Sequence, residues 1–215
     1  MFEKDDKALL ILKLRQGGVT DRRIIDVMES IPRELFVPKA LREQAYENIA
    51  LPIGLHQTVS QPLTVGLMTQ SLNLTDRMKV LEIGTGSGFQ SAVLSRLCRR
   101  LYTIERYKEL SQGAESRFAK LRLTNITTRV GDGSAGWKEL APFERIIITA
   151  AAQDIPPLLI EQLDIGGIMV VPVNDGRDEY DQRLLKVTKT IDGIETEELG
   201  ITRFVPLVES DVQQN

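Results

Sequence analysis

The sequence predicts an α/β fold: a doubly wound, mostly parallel sheet that follows a helical N-terminal region and ends in antiparallel strands. Three observations carry this expectation. From Lys79 onward, short β-rich runs alternate with helix-period segments; the first of these runs leads straight into a glycine-rich turn; and before residue 78 the apolar spacing is helical instead.

In chain order, Ile24, Ile25, Val27, Met28 and Ile31 fall near helical spacing behind Thr20, a residue type suited to a helix N-cap, and Pro32 ends the run. A second helix is expected to open at Pro62, where a first turn has no use for the missing N–H, and to run to about Leu72. Five strands then follow, at residues 80–83, 101–105, 126–130, 145–150 and 168–173. The helices between them start near Phe89, cover residues 108–123, and open at Pro156-Pro157 to end at Gly166-Gly167. Regular alternation of this kind makes the strands parallel and wraps helices over both faces. Residues 184–187 and 194–198 flank Thr190-Ile191-Asp192-Gly193, so a hairpin finishes the sheet, and the polar tail 209–215 is expected to fray. Residues 1–78 and 79–215 are expected to pack as one compact unit, the helical region on the sheet region.

A length of 215 residues suits one medium domain with appendages, and a hydrophobic content of 42% is that of a globular chain. With 27 Lys and Arg against 30 Asp and Glu, there is no broad basic surface for gripping phosphates, which argues against nucleic acid as a partner. One cysteine, Cys98, and one histidine, His56, cannot make an internal disulfide or a Cys/His zinc cluster; a reducing compartment and no metal are expected. The start of the chain is mixed in charge without a secretory apolar core, and the apolar stretches 146–152 and 167–173 fall far short of the roughly 18 residues of a membrane span. The reading is a cytoplasmic protein without a membrane partner.

The most informative stretch is Val80-Leu81-Glu82-Ile83-Gly84-Thr85-Gly86-Ser87-Gly88-Phe89, a strand running into a turn where a ligand can lie against the backbone. Gly84, Gly86 and Gly88 read G-x-G-x-G, whereas a dinucleotide fingerprint sets its third glycine one residue later, and no Lys-Ser/Thr pair follows for a P-loop. Glu82, two residues ahead of the turn, suits a cationic ligand better than a pyrophosphate; S-adenosylmethionine, with its sulfonium and ammonium, is one. Two more acids stand where ligands of open α/β sheets bind, at strand ends. Glu105 can accept from both ribose hydroxyls, and Asp132, in Gly131-Asp132-Gly133, from the adenine amine. Each has a plainer alternative, an exposed strand-end acid for Glu105 and a turn-forming Asp-Gly for Asp132.

Ahead of this unit, residues 51–62 form a loop dense in small polar groups. The Thr58 and Ser60 hydroxyls near a helix N-terminus favour an anion, or they cap that helix.

At this point the sequence resembles the protein-L-isoaspartate O-methyltransferase family. The resemblance is carried by RELFVP, LPIG followed by QTVSQP, VLEIGTGSGFQSAVLSRL, YTIER, GDGSAGW, APFERIIITAA, IPPLLIEQL, GGIMVVPV and RFVPL, in family order from about Val19 to Leu207. It implies a Rossmann-like class I S-adenosylmethionine-dependent methyltransferase sheet. It also implies a protein carboxyl O-methyltransferase that moves a methyl group from S-adenosyl-L-methionine to the free α-carboxylate of L-isoaspartyl residues in damaged or aged proteins, leaving S-adenosyl-L-homocysteine. The ester then closes to a succinimide as methanol departs, and hydrolysis of the ring returns some normal aspartate. Residue by residue, the resemblance implies a catalytic Ser60, substrate contacts from Thr58, Val59, Ser60 and Val205, and cofactor contacts from Glu82, Gly84, Gly86, Glu105, Asp132 and Gly133. The implied partners are isoaspartyl peptides and proteins, acted on by a monomer. An α-carboxylate with a pKa near 3.5 is already ionised at neutral pH and needs no general base, so Ser60 is read as a hydroxyl donor that orients it.

Departures from the family pattern bear on substrate preference. His56 stands where many members have a small glycine before the Gln-Thr pair, Leu55 beside it is also atypical, and Phe89 replaces a commoner tyrosine. His56 reads as a loop-surface residue, and Trp137 as packing rather than an adenine-stacking ring. Two other functions stay open at this stage. A methyltransferase for a small molecule or RNA base would want an aromatic or Asn/Asp-Pro-Pro clamp where this chain has Thr149-Ala150-Ala151-Ala152; a non-catalytic binding module would be favoured by loss of Ser60 or of the glycine turn, and both are present.

Overall fold

The computed structural model describes residues 4–174, Gly176 and residues 181–208; the tail expected to fray lies outside them. The N-terminal part contains α1 (Lys4–Gln16), α2 (Arg22–Ser30) and α3 (Pro62–Ser71). The cap of α2 is Asp21, whose carboxylate accepts from the Arg23 amide at 2.9 Å, and not Thr20. Thr20 is spent elsewhere: its amide, like that of Asp21, donates to Gln70 Oε1 on α3, at 2.7 and 2.9 Å. Pro32 follows α2 and leads into a 3-10 turn at Arg33–Phe36.

Residues 51–59, read from sequence as a loop, form a hairpin of β1 (Leu51–Gly54) and β2 (Gln57–Val59). Its two turn residues, Leu55 and His56, take φ of +52° and +56°, as a type I′ turn requires. Neither is the Asn, Asp or Gly that tolerates this region cheaply, so no turn signal is visible in the sequence.

The main sheet has the order β5-β4-β3-β6-β7-β8-β9. Its strands are β3 (Lys79–Ile83), β4 (Arg100–Glu105), β5 (Ile126–Val130), β6 (Phe143–Ile148), β7 (Leu163–Asn174), β8 (Gln182–Lys189) and β9 (Ile194–Thr202). The first five are parallel; β8 pairs antiparallel with β7, and β9 antiparallel with β8. Three helices, α4 (Phe89–Ser95), α5 (Lys108–Lys120) and α6 (Pro157–Gln162), lie between the parallel strands. Chain order runs outward from β3 to β5, then returns to place β6 on the other side of β3. That reversal is the switch point at which open α/β sheets bind ligands.

One boundary differs from expectation. Helix α6 stops at Gln162, and Gly166-Gly167 belong to β7 instead of ending the helix. Leu163 pairs with Phe143 and Ile168 with Arg145, so the glycines sit in a stretch of β7 that is longer than its partner on β6.

Strand periodicity splits the core in two. Val80, Leu101, Ile147 and Val170 face α4 and share one apolar cluster with Leu14, Phe36 and Met68 of the N-terminal part. Leu81, Ile83, Ile146 and Ile148 face the other way, onto Leu159 of α6. The N-terminal helices therefore bury their apolar faces in the same cluster as the sheet. At the open edge, Glu195, Glu197 and Glu198 of β9 are exposed, a charge pattern that discourages edge pairing. Among the described residues no helix is long and apolar enough to cross a membrane.

Candidate functional site

At the switch point, β3 opens into the glycine turn. Gly84 has a φ of +95°, and a Cβ there would lie 2.4 Å from Thr149 Oγ1. That hydroxyl is held in place, since it bonds the Gly84 carbonyl at 2.6 Å and approaches the Ile83 carbonyl at 3.0 Å. Thr149, just past β6, therefore clamps the start of the turn.

The turn floors a cleft of about 870 Å³, its open mouth included. The cleft brings Gly84, Gly86, Glu105 and Gly133 of the sheet end together with Thr58, Val59, Ser60 and Val205. Glu105 is only 6% exposed, contrary to the strand-end alternative. Its Oε2 accepts from the Gly86 amide at 2.7 Å and its Oε1 from the Tyr107 amide at 2.9 Å. A carboxylate oxygen has a second lone pair, so Glu105 pins the turn and can still accept from a vicinal diol.

Two residues expected at the cofactor do not line this cleft. Glu82 is fully buried on the α4 side of β3, where Ser91 donates to its Oε2 and its Oε1 has no partner among the described residues. Burial pushes its pKa up to about 8, against the opposing pull of hydrogen bonds from Ser91 and Thr103. The period of the strand explains its place: Glu82 shares a face with Val80, while Ile83 reaches the cleft wall. Asp132 turns back on its own chain, its Oδ1 accepting from the Ser134 amide at 2.9 Å and hydroxyl at 2.7 Å. Its neighbour Gly133 forms the wall, and a Cβ there would meet Ile83 Cγ2 at 2.3 Å.

The opposite wall comes from the β1–β2 hairpin and the start of α3. Gln61 occupies the α3 cap without a side-chain bond, Pro62 fills the first turn, and the Leu63 amide is taken by Asn48 Oδ1 at 2.9 Å. Capping thus makes no use of Thr58 or Ser60, and neither hydroxyl has a hydrogen-bond partner among the described residues. Ser60 also borders a second cavity of about 940 Å³, mouth included, which reaches to Asp181 and Arg203. The two cavities share Thr58, Ser60 and Phe204. Residues 204–208 cover the first cavity and are tied down by backbone: Ala151 donates to the Val205 carbonyl at 2.8 Å, and Leu207 to the Ala151 carbonyl at 2.7 Å.

His56 is exposed at the hairpin tip. Trp137 packs edge-on against Tyr102, ring centres 5.7 Å apart, away from the cleft. The Cys98 thiol is buried, with a pKa pushed up to about 12, and has no nucleophilic use there. Among the described residues no cluster of His, Cys, Asp or Glu is placed to hold a metal ion. Sequence reasoning missed Thr149 and Tyr107. Their only signal is position, directly after β6 and two residues beyond β4.

The protein-L-isoaspartate(D-aspartate) O-methyltransferase family model matches residues 4–212. A curated relative from Paramagnetospirillum magneticum, a protein-L-isoaspartate O-methyltransferase, is 58% identical over 200 residues, 93% of either chain. One solved protein-L-isoaspartate O-methyltransferase superposes with a TM-score of 0.83 at 28% identity, over 93% of this chain and 65% of that one. A Plasmodium falciparum structure described as an enzyme of this kind in complex with S-adenosyl-L-homocysteine gives 0.82 at 21% identity, over 97% and 100% of the two chains, a likeness of fold. Sequence identity along nearly the whole chain, with the fold to match, means that the chain belongs to the protein-L-isoaspartate(D-aspartate) O-methyltransferase family.

Proposed function

We propose that the cleft transfers a methyl group from S-adenosylmethionine to the free α-carboxylate of an L-isoaspartyl residue in a damaged protein, the first step of repair through a succinimide. The observation that carries this reading is the position of Ser60, with an unengaged hydroxyl, where two cavities meet. The first cavity fits the methyl donor: a backbone cradle at Gly84 and Gly86, a carboxylate at Glu105 for a ribose diol, and no lysine or arginine within the turn to call for a phosphate. When bound, the donor supplies an electrophilic methyl on a sulfonium. The second cavity admits an extended peptide to Ser60 from the side of β9.

The chemistry asks little of the side chains. The acceptor carboxylate is ionised at neutral pH, so no base has to be held near it. The Ser60 and Thr58 hydroxyls donate to its oxygens and aim one of them at the methyl; the partly apolar wall of Val59, Phe204 and Val205 thins the water around both charges. Gly84, Gly86, Gly133 and Glu105 hold the donor directly. Glu82 and Asp132 serve by shaping the turns that carry Gly84 and Gly133. We further place the enzyme in the cytoplasm as a monomer with no nucleic-acid partner, in line with its balanced charge of 27 against 30.

The test is a pair of short peptides identical except for L-isoaspartate or L-aspartate at one position, incubated with labelled S-adenosylmethionine. Base-labile methanol is expected from the isoaspartyl peptide alone; equal methylation of both peptides, or of neither, overturns the assignment. Ser60→Ala should lower kcat/KM for the isoaspartyl peptide by about 10- to 100-fold, the worth of a hydrogen bond to a charged group, with S-adenosylhomocysteine affinity unchanged by calorimetry. Glu105→Gln should do the reverse, weakening S-adenosylhomocysteine binding by about tenfold while leaving peptide KM alone.

A further inference from the structure

Arg33 is 1% exposed, yet no carboxylate pairs with it among the described residues. A buried cation without a counter-charge is costly, and a core position at a 3-10 turn is ordinarily better filled by an apolar side chain. Its Nη1 has no partner among the described residues, so a full set of hydrogen bonds does not offset that cost. Two of the three contacts it makes lead to opposite walls of the cleft, and the third holds it to the chain at Ala45. Nη2 donates to the Ser60 carbonyl at 2.9 Å, and Nε to the Ala45 carbonyl at 2.9 Å. The face of the guanidinium lies 4.5 Å from the ring centre of Phe89, the first residue of α4 after the glycine turn and itself part of the cleft wall.

A second arginine ties the same 3-10 turn to the same place. Arg117 of α5 donates from Nε to the Leu35 carbonyl at 2.8 Å and from Nη1 to the Ser87 carbonyl at 3.3 Å. Phe36 closes the arrangement edge-on against Phe89, ring centres 5.5 Å apart. The turn Arg33–Phe36 is thus pinned to the glycine turn on one side and, through Arg33, to Ser60 on the other.

We infer that Arg33 is a positioning residue for methyl transfer: by holding the Ser60 backbone against the start of α4, it sets the distance and line between the acceptor wall and the donor wall. The inference rests on the methyl-transfer reading of the cleft. In-line displacement is the kind of step that punishes a small misplacement most, since an error of about 1 Å costs roughly 100-fold in rate while ground-state binding to either wall persists. Burial lowers the Arg33 pKa to about 9, which leaves the cation intact at neutral pH.

The test compares Arg33→Met, which fills similar space without charge, with Arg33→Lys, which keeps a cation but loses the flat, forked donor. In both, S-adenosylhomocysteine affinity and peptide KM are expected to stay within about threefold of the parent. For Arg33→Met, kcat is expected to fall about 30- to 100-fold, with partial recovery in Arg33→Lys. Amide hydrogen exchange at residues 59–61 should quicken in Arg33→Met, a readout that needs no turnover. A kcat within threefold of the parent, a loss confined to KM, or unchanged exchange at residues 59–61 overturns the inference. If Arg33→Met does not fold, the kcat-against-KM split in Arg33→Lys decides. Failure of the parent enzyme on the isoaspartyl peptide would sink the methyl-transfer reading instead, and the exchange measurement would still decide whether Arg33 holds Ser60.

Discussion

Gly84→Ala is expected to abolish donor binding, raising the dissociation constant for S-adenosylhomocysteine by at least about 100-fold and lowering the melting temperature by roughly 5 to 10 °C. Two costs combine at this position. The backbone has a φ of +95°, where an L side chain carries a strain of about 1 to 2 kcal/mol. The new Cβ would also lie 2.4 Å from Thr149 Oγ1. A flexible side-chain end could swing aside, but Thr149 is β-branched and its hydroxyl bonds the Gly84 carbonyl at 2.6 Å, so relief of the clash gives up that clamp as well. The turn must then shift as a unit, and with it the Gly86 amide that Glu105 holds at 2.7 Å. Gly86 makes the contrast: a Cβ there meets nothing nearer than Ile53 Cδ1 at 3.6 Å. Isothermal titration of both variants separates the explanations. Thr149→Ala added to Gly84→Ala should restore part of the affinity by removing the clash while leaving the strain. Near-normal binding by Gly84→Ala would mean that the turn is not the floor of the donor site.

The parallel half of the sheet was readable because each strand-to-helix change alters the hydrophobic period within a few residues, as at Ile83 to Phe89. The β1–β2 hairpin was not, since its turn relies on Leu55 and His56 at positive φ, where local chemistry argues against a turn and only the packing of the two strands compensates. Gly166-Gly167 misled in the other direction: glycine after a helical run looks like a stop, yet here it relaxes the extra length of β7 against β6. The site divides in the same manner. Gly84, Gly86 and Glu105 are carried by motifs at the ends of two strands, so their convergence could be foreseen from the switch-point rule, whereas Ser60 enters the site through the family resemblance alone. The grip of Thr149 on Gly84 spans 65 residues and that of Arg33 on Ser60 spans 27. Neither pair has a spacing that means anything until the sheet order is known. Glu82 shows the limit of reading a motif by its charge: an acid two residues before a glycine turn looks like a partner for a cation, but strand parity sends it to the covered face.

That burial has a measurable consequence for Glu82. With its pKa pushed up to about 8 from an ordinary 4.5, chiefly by desolvation, the folded protein keeps a proton on Glu82 that the unfolded chain releases. The stability linked to this proton is therefore complete below about pH 4.5, drains away as the pH rises, and is gone by about pH 8, a change on the order of 4 to 5 kcal/mol. Glu82→Gln has no proton to lose. Its amide oxygen can still accept from Ser91, and its amide nitrogen takes the place of the unpartnered Oε1, so any cost of burying it is constant across pH. The variant should therefore gain on the parent between about pH 5 and about pH 9 by several kcal/mol, which urea titrations at the two pH values would read directly. The gain matters for the site because Ser91 lies on α4, directly after the glycine turn, and the Thr103 hydroxyl, which approaches Glu82, sits 2.7 Å from that of Thr85 within the turn. Ionisation of Glu82 leaves a desolvated charge beneath the turn that the Ser91 and Thr103 hydroxyls do not offset, so donor affinity in the parent should weaken above about pH 8 along with stability, and Glu82→Gln should flatten both profiles. A stability difference that does not change with pH would mean that Glu82 is already ionised in the folded protein, in which case an unpaired buried charge, and not a neutral carboxyl, would underlie the donor site.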